Sequence, residues 1–160
     1  MTIQALAEQP WGSAITAYLH YVGFMVAFGA LVLEAQTLQK DLNLAAAWRL
    51  VVADAVYGLS ATIVLGTGIL RVMYFGQGTD YYLSNPVFYV KVGIFIVVSL
   101  LSLYPTISFV SWIKGLREEK RPKLEFVQVQ RLLWFIRGEL AGFVLIPLFA
   151  AMLARSIQLG

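Results

Sequence analysis

Four long apolar stretches constrain the fold of this chain more than any other feature. A helix that crosses the hydrocarbon core of a bilayer needs about 20 mainly apolar residues. Four segments reach this length: residues 14–37, 46–74, 87–112 and 127–157. The chain is 59% hydrophobic and 13% charged, whereas a soluble domain is about 25% charged. The sequence therefore predicts an all-α, integral membrane four-helix bundle, formed as a single transmembrane domain over residues 1–160.

The connections between these segments are short, and their basic residues are unevenly distributed. Short connections predict antiparallel neighbours, with Asp41 or Asn43 capping the second helix and Asn85-Pro86 opening the third. One side of the predicted bundle carries most of the basic residues, namely Lys40, Arg49, Lys114, Arg117, Lys120, Arg121, Lys123 and Arg131. The other side carries Arg71, Lys91 and Arg155. The positive-inside rule then predicts non-cytoplasmic termini and a cytoplasmic 115–125 loop, in a bacterial inner or thylakoid-type membrane.

The composition excludes several classes of site. With no cysteine, the chain has no disulfide, thiolate metal site or iron–sulfur cluster. His20 is the single histidine, and zinc or copper would need three or four strong ligands. The net charge of +3 is small and concentrated in one loop, so nucleic acid is not an expected partner. The lipid bilayer is, and a homodimer or a larger membrane complex is a further expectation.

Three basic side chains are predicted at membrane depth near one end of the bundle: His20, Arg71 and Lys91. Ionisable residues at this depth mark functional sites by default. An imidazole with two nearby cations suits a ligand that has an apolar body, a metal and two carboxylates, as haem b has. On the face of His20, the residues Gly23, Phe24 and Ala27 would admit a flat macrocycle or serve ordinary helix packing.

Several alternatives for His20 stay open. The imidazole could instead form a hydrogen bond to another helix, lie at the membrane interface, relay protons or bind another metal. A chlorophyll-type pigment is the alternative tetrapyrrole ligand. No sixth iron ligand is evident from the sequence, although Met25 and Met73 have suitable side chains.

A second polar set lies deeper in the bundle and mixes acids with bases: Glu34, Asp54, Arg137 and Glu139, with Arg49 and Arg131 near its boundary. One interpretation is a structural network of ion pairs that joins Asp54 to Arg49 and Arg137 and fixes the helix register. The other is proton handling by Glu34 and Glu139.

The chain resembles a bacterial membrane family of unassigned function, the domain of unknown function 2214. The resemblance covers nearly the whole chain. It is carried by LHYVGFMVAFGALVLE, ADAVYGLSATIVLGTGILRVMYFGQG, RGEL and LIPLFAAMLAR, and most specifically by the NPxFxxK and LSLYPT runs. The resemblance implies a helical membrane protein and no particular activity.

The chain is also similar, more distantly, to the HemJ-type protoporphyrinogen oxidases, which are small helical membrane proteins that bind haem b. His20, Lys91 in FYVKVG, and Arg137 and Glu139 in IRGEL fall at places comparable to motifs of that family, as does Arg49-Leu50. The resemblance implies that His20 is a haem ligand and Lys91 its functional partner. This chain has LVLEAQTLQK where that family has YLPRLFVYH, so fold and tetrapyrrole binding carry over better than the reaction.

We therefore expect a protein that binds haem b through His20, with Arg71 and Lys91 toward the propionates, in electron transfer or tetrapyrrole oxidation. If it is an enzyme, it is a HemJ-like membrane oxidoreductase in which Glu34 or Glu139 moves protons. One alternative is a non-enzymatic small subunit of a respiratory or photosynthetic complex. Another is a small transporter or proton channel.

Overall fold

Four long helices form the protein. The computed structural model describes residues 10–155 and residue 157. Its long helices are α1 Pro10–Thr37, α2 Leu44–Leu70, α4 Pro86–Arg117 and α5 Phe126–Ala154, and a short helix, α3, spans Thr79–Leu83. Each long helix is long and apolar enough to cross a membrane. The predicted integral membrane four-helix bundle is therefore confirmed.

The four helices pack as a closed ring of antiparallel neighbours. Helix α1 packs against α2 and α5, and α4 packs against α2 and α5. Two connections, residues 38–43 and 118–125, lie together at one end, which we call the hairpin end. Helix α3 lies at the opposite end, which we call the lid end. The start of α1 and the end of α5 are also at the lid end.

Capping residues explain where two of the helices begin. The Asn43 Oδ1 atom accepts a hydrogen bond from the Ala46 backbone N–H at 2.8 Å, which satisfies one of the free donors in the first turn of α2. Asn85 does the same for Val87 at 3.0 Å, and Pro86 is the first residue of α4. Of the two predicted caps for the second helix, Asn43 is the one used.

The structure differs from the sequence prediction at the lid end. The second apolar segment is not one continuous α-helix, because Arg71–Phe75 forms a π-helical turn after α2. The following linker contains α3. The Tyr81 hydroxyl donates to the Leu153 carbonyl, so α3 is tied to the end of α5. A π turn is wider than an α turn and often occurs at functional sites. Here it begins at one of the predicted site residues.

Small residues bring the helices close together. A Cβ atom at Gly23 would lie 3.2 Å from the Val64 Cγ2 atom, and one at Gly142 would overlap the side chain of Val98. Close backbone approach at small residues is the usual way in which membrane helices associate. The buried core between them is apolar, as at Leu50 and Phe109, so the buried polar residues described below stand out.

Candidate functional site

A cavity of about 360 Å³ opens among the helices near the lid end, and we call it the His20 pocket. The side chains of His20, Arg71 and Lys91 all line it. The sequence predicted that these residues lie at one depth, and the structure brings them to one cavity. The volume falls in the range of about 300–1,000 Å³ that is typical of small-molecule sites. The pocket is therefore large enough for a ligand or a substantial part of one.

Hydrogen bonding defines the state of the imidazole. The His20 Nδ1 atom lies 3.0 Å from the Thr67 hydroxyl oxygen. The single hydroxyl proton of Thr67 is already donated to the Ile63 carbonyl, at 2.6 Å. We therefore assign the ring proton to Nδ1, which donates it to the Thr67 oxygen, and this assignment leaves Nε2 unprotonated. Metal-binding histidines are oriented in the same way, through a hydrogen bond from the nitrogen that does not bind the metal.

Neither cation at the pocket forms an ion pair with another residue in the part of the chain that the structure describes. The Arg71 guanidinium carbon lies 5.2 Å from the centre of the Tyr21 ring, a cation–π contact that fixes its plane. The Arg71 Nη1 atom is buried and has no hydrogen-bond partner in the described part of the chain. Lys91 is close enough to interact electrostatically with both Arg71 and His20. None of the described residues that line the pocket is an aspartate or a glutamate, so the site favours an anionic ligand.

Aromatic residues of the lid end cover the pocket. Phe75, Tyr82 and Phe88 contribute to its walls, and Tyr82 belongs to α3. Glycine is required at position 76, because a Cβ atom there would overlap the Arg71 carbonyl oxygen and the Tyr82 hydroxyl. These aromatic walls were not predicted from the sequence, although the tyrosines of GTDYYL cluster there. Thr67 was not predicted as a site residue either, and the sequence feature that points to it is a hydroxyl inside the apolar run VLGTGIL.

Other residues considered for the pocket lie elsewhere. Gly23 packs against α2, Phe24 against the ring of Phe143, and Ala27 is fully buried, so all three serve helix packing. Met25 and Met73 are exposed and do not line the pocket. Of the two interpretations of the small-residue face, the structure favours packing. Neither methionine is placed to bind a ligand together with His20.

Three carboxyl groups meet between the His20 pocket and the hairpin end. Glu34 of α1, Asp54 of α2 and Glu139 of α5 are buried and close enough to interact electrostatically. The Asp54 carboxylate accepts a hydrogen bond from the Thr106 hydroxyl at 2.7 Å. Glu34 Oε1 and both Glu139 oxygens have no hydrogen-bond partner of good geometry within residues 10–155 and 157. We call these three residues the carboxyl cluster.

The arginines expected in a mixed network do not join this cluster. Arg49, Arg131 and Arg137 are exposed. Within the described ranges, the one ion pair is between Lys120 and Glu118, at 2.7 Å in the 118–125 connection. Helix geometry supplies the reason, since Arg137 and Glu139 are two residues apart and project from nearly opposite faces of α5. The predicted network of Asp54, Arg49 and Arg137 is thus replaced by an all-carboxyl cluster.

The carboxyl cluster is not a metal centre of a recognisable kind. Over residues 10–155 and 157, no group of three or more histidine, aspartate or glutamate residues has an arrangement that could hold a metal ion. Tyr57 lies beside Glu139 and Ser102, so the neighbourhood of the cluster is hydroxyl-rich. Such an arrangement can exchange protons between carboxyl and hydroxyl groups.

A comparison with known families finds one match. The model of a family described as a predicted membrane protein, DUF2214, matches residues 12–158. No curated protein and no solved structure matches the chain.

Proposed function

The chain belongs to the DUF2214 family of predicted membrane proteins, and from this premise we propose that it binds haem b and acts in electron transfer or tetrapyrrole oxidation. One observation carries the proposal. An imidazole whose Nε2 is assigned as unprotonated lines the same cavity as two cations that form no ion pair within residues 10–155 and 157. His20 would bind the iron, and Arg71 and Lys91 would pair with the two propionates.

The donor set fits this group. No residue in the described ranges offers an acceptor to the buried Nη1 atom of Arg71, and a propionate would supply one. The aromatic walls suit the apolar body of a macrocycle. Magnesium of a chlorophyll-type pigment would also accept an imidazole, but both carboxyl groups of such a pigment are esters and would leave both cations unpaired. Haem b is therefore the better match.

The residues of the chain have separate tasks in this proposal. Haem b supplies reversible one-electron chemistry when bound. Thr67 orients His20, and the lid-end aromatics limit the access of water to the pocket. Glu34 and Glu139 handle protons deeper in the bundle, where the Tyr57 hydroxyl lies beside Glu139. If the protein is an enzyme, we propose that it is a HemJ-like membrane oxidoreductase.

We also propose an orientation and a location. The excess of basic residues at the hairpin end supports a cytoplasmic 115–125 loop, with both termini on the other side. The His20 pocket then opens toward the non-cytoplasmic face of a bacterial inner or thylakoid-type membrane.

The proposal is tested by titrating the detergent-purified protein with haem b and with haem b dimethyl ester, whose carboxylates are blocked. We expect haem b to bind at least tenfold more tightly than the ester. In Arg71→Gln and Lys91→Gln that ratio should fall toward one, while the affinity for the ester stays the same. Equal affinities in the wild-type protein, or no binding of haem b, would overturn the proposal.

A specific observation favours a second candidate function, that of a small subunit in a larger membrane complex. Arg137 is exposed although it lies about 16 Å along α5 from Phe126, which is membrane depth. An arginine facing lipid costs about 2.5–3.5 kcal/mol on insertion scales. A partner helix with a carboxylate at this depth would remove that cost, and a different protein fits this better than a second copy, because Glu34, Asp54 and Glu139 are buried.

This second candidate is tested by purification from native membranes in a mild detergent. A partner that co-purifies with the wild-type chain and is lost in Arg137→Ala supports it. A monomer in both cases rejects it. The matched control is Arg131→Ala, which removes an exposed arginine nearer the start of α5.

A further inference from the structure

A second cavity lies on the outside of the bundle, between α1 and α2, and no part of the proposed function uses it. We call it the α1–α2 groove. Its volume is about 600 Å³. Its walls are apolar and end in Val26 and Val56, while Trp48 and Arg49 lie toward the hairpin end. We propose that this groove holds an acyl chain of an anionic phospholipid whose phosphate pairs with Arg49.

The shape of the groove favours a hydrocarbon chain. From Ala45 to Val56 it follows twelve residues of α2, and the eleven steps between them span about 16 Å of helix. A volume of about 600 Å³ over that length gives a mean cross-section of about 36 Å². The groove is thus long and wide enough for part of an extended acyl chain.

A glycine opens the floor of the groove. A Cβ atom at Gly29 would meet no heavy atom within 4 Å, so packing inside the chain does not require glycine there. In contrast, Gly23 on the same helix lies tightly against Val64. Gly58 and Gly66 are open in the same way outside the groove, so the role of Gly29 is to widen the groove by the volume of a side chain.

Charge and depth identify the headgroup. Arg49 is exposed and forms no ion pair within the described ranges. It lies five residues, or about 8 Å, inside the start of α2, which is the level where hydrocarbon gives way to headgroups. Trp48 beside it has the amphipathic ring that is typical of this level. A basic residue near the surface contributes about 1 kcal/mol to the binding of anionic lipid, or about fivefold in affinity.

Quenching of Trp48 fluorescence tests the proposal directly. The full chain carrying Trp11→Phe, Trp112→Phe and Trp134→Phe retains Trp48 alone. It is reconstituted in phosphatidylcholine vesicles that contain either brominated phosphatidylglycerol or brominated phosphatidylcholine. We expect half-maximal quenching at an about fivefold lower mole fraction of the anionic lipid.

Three variants in this background separate the causes. Arg49→Gln should remove the preference for the anionic lipid and leave quenching by the zwitterionic lipid unchanged. Gly29→Leu should fill the groove and weaken quenching by both lipids. Gly58→Leu is the matched control, since a Cβ atom there also meets nothing within 4 Å and Gly58 does not line the groove. It should behave as the parent does.

Two results would overturn the proposal. One is equal quenching by both lipids in the parent protein. The other is weak quenching by both lipids together with a dimer that Gly29→Leu dissociates, because a second copy of the chain would then occupy the groove. Neither result bears on haem binding, which is measured separately at the His20 pocket.

Discussion

The contact between His20 and Thr67 determines what the imidazole can do. The Thr67 hydroxyl is placed to donate to the backbone of its own helix, and with its proton assigned there its oxygen accepts from Nδ1. This places the free lone pair on Nε2. Gly68 lies next to the ring, and a Cβ atom there would make ordinary van der Waals contact with His20 Cε1, at 3.4 Å. Thr67 of α2 thus orients His20 of α1.

Replacing the hydroxyl should weaken ligand binding without unfolding the protein. In Thr67→Val the side-chain shape is retained and the acceptor for Nδ1 is lost, so the imidazole is no longer held in one tautomer. We expect haem b affinity to fall by about 10- to 100-fold, as for other partners of metal-binding histidines. Thr62→Val is the control, because Thr62 makes the same type of bond to its own helix, with Gly58, and does not touch His20. Equal affinities in the two variants would contradict this account of the tautomer.

Replacing a carboxyl group of the cluster with an amide should change the stability of the protein little. Breaking a buried ion pair costs about 3–5 kcal/mol, but Glu139 has no cationic partner within the described ranges. We therefore expect Glu139→Gln to leave the free energy of unfolding within about 1 kcal/mol of the wild-type value. Unfolding in mixed micelles, followed by far-ultraviolet circular dichroism, measures it. A loss of 3 kcal/mol or more would indicate an ion pair that the structure does not contain.

Sequence reasoning found residue types and depths but not their partners. His20, Arg71 and Lys91 could be assigned to one end because helix lengths and short connections determine depth. Partners depend on the register of antiparallel helices. In an antiparallel helix pair, the numbers of residues that face each other have a nearly constant sum. This sum is 87 for His20 and Thr67 and also for Gly23 and Val64, and the geometry of the α1–α2 connection determines it. The sequence could have predicted that Arg137 and Glu139 lie on opposite faces of their helix, because they are two residues apart.

At the scale of elements, one glycine determines how closely α4 and α5 approach. A Cβ atom at Gly142 would overlap the side chain of Val98, which is buried and branched at Cβ. The stiff valine has little freedom to move away. The interface of these two helices, one wall of the bundle, therefore depends on the absence of a side chain at one position.

The smallest substitution tests this dependence. Gly142→Ala should destabilise the bundle by about 1–3 kcal/mol, because overpacking displaces α4 from α5. Gly66→Ala is the matched control: a Cβ atom there meets nothing within 4 Å, so alanine should be neutral or stabilising by up to about 1 kcal/mol. Unfolding of both variants in mixed micelles provides the comparison. A stable Gly142→Ala protein would show that this interface adapts.

Long elements were predictable and short ones were not. Four spans follow from apolar length alone, and Asn43 and Asn85 mark helix starts by their side-chain chemistry. The π turn at Arg71–Phe75 and the five-residue α3 are too short to show a hydrophobic periodicity in the sequence. They are stabilised by contacts with other elements, such as the hydrogen bond of Tyr81 to the end of α5. The cover of the pocket is therefore the part of the site that could not be predicted.

At the scale of the whole molecule, the bundle connects its two polar regions through aromatic rings. The ring of Phe143 lies 4.9 Å from that of Phe24 and 6.0 Å from that of Tyr57, measured between ring centres. Phe24 is one turn from His20, and Tyr57 lies beside Glu139. A short stretch of packed apolar core thus lies between the His20 pocket and the carboxyl cluster.

The orientation of the molecule is measurable because the chain has no cysteine of its own. Lys123→Cys in the hairpin-end loop and Asp80→Cys in α3 each give one exposed thiol. In intact cells we expect an impermeant maleimide to label Asp80→Cys and not Lys123→Cys, since the basic loop is proposed to be cytoplasmic. Labelling of both after lysis is the control. The reverse pattern in intact cells would invert the orientation.

The central claim is that His20 binds the iron of haem b. Its most direct test is the absorption spectrum of detergent-purified protein, oxidised and then reduced with dithionite, beside that of His20→Ala. The account predicts a Soret band with b-type α and β bands in the wild-type protein and their loss in the variant. A colourless wild-type protein from cells supplied with haem, or an unchanged spectrum in His20→Ala, would contradict it.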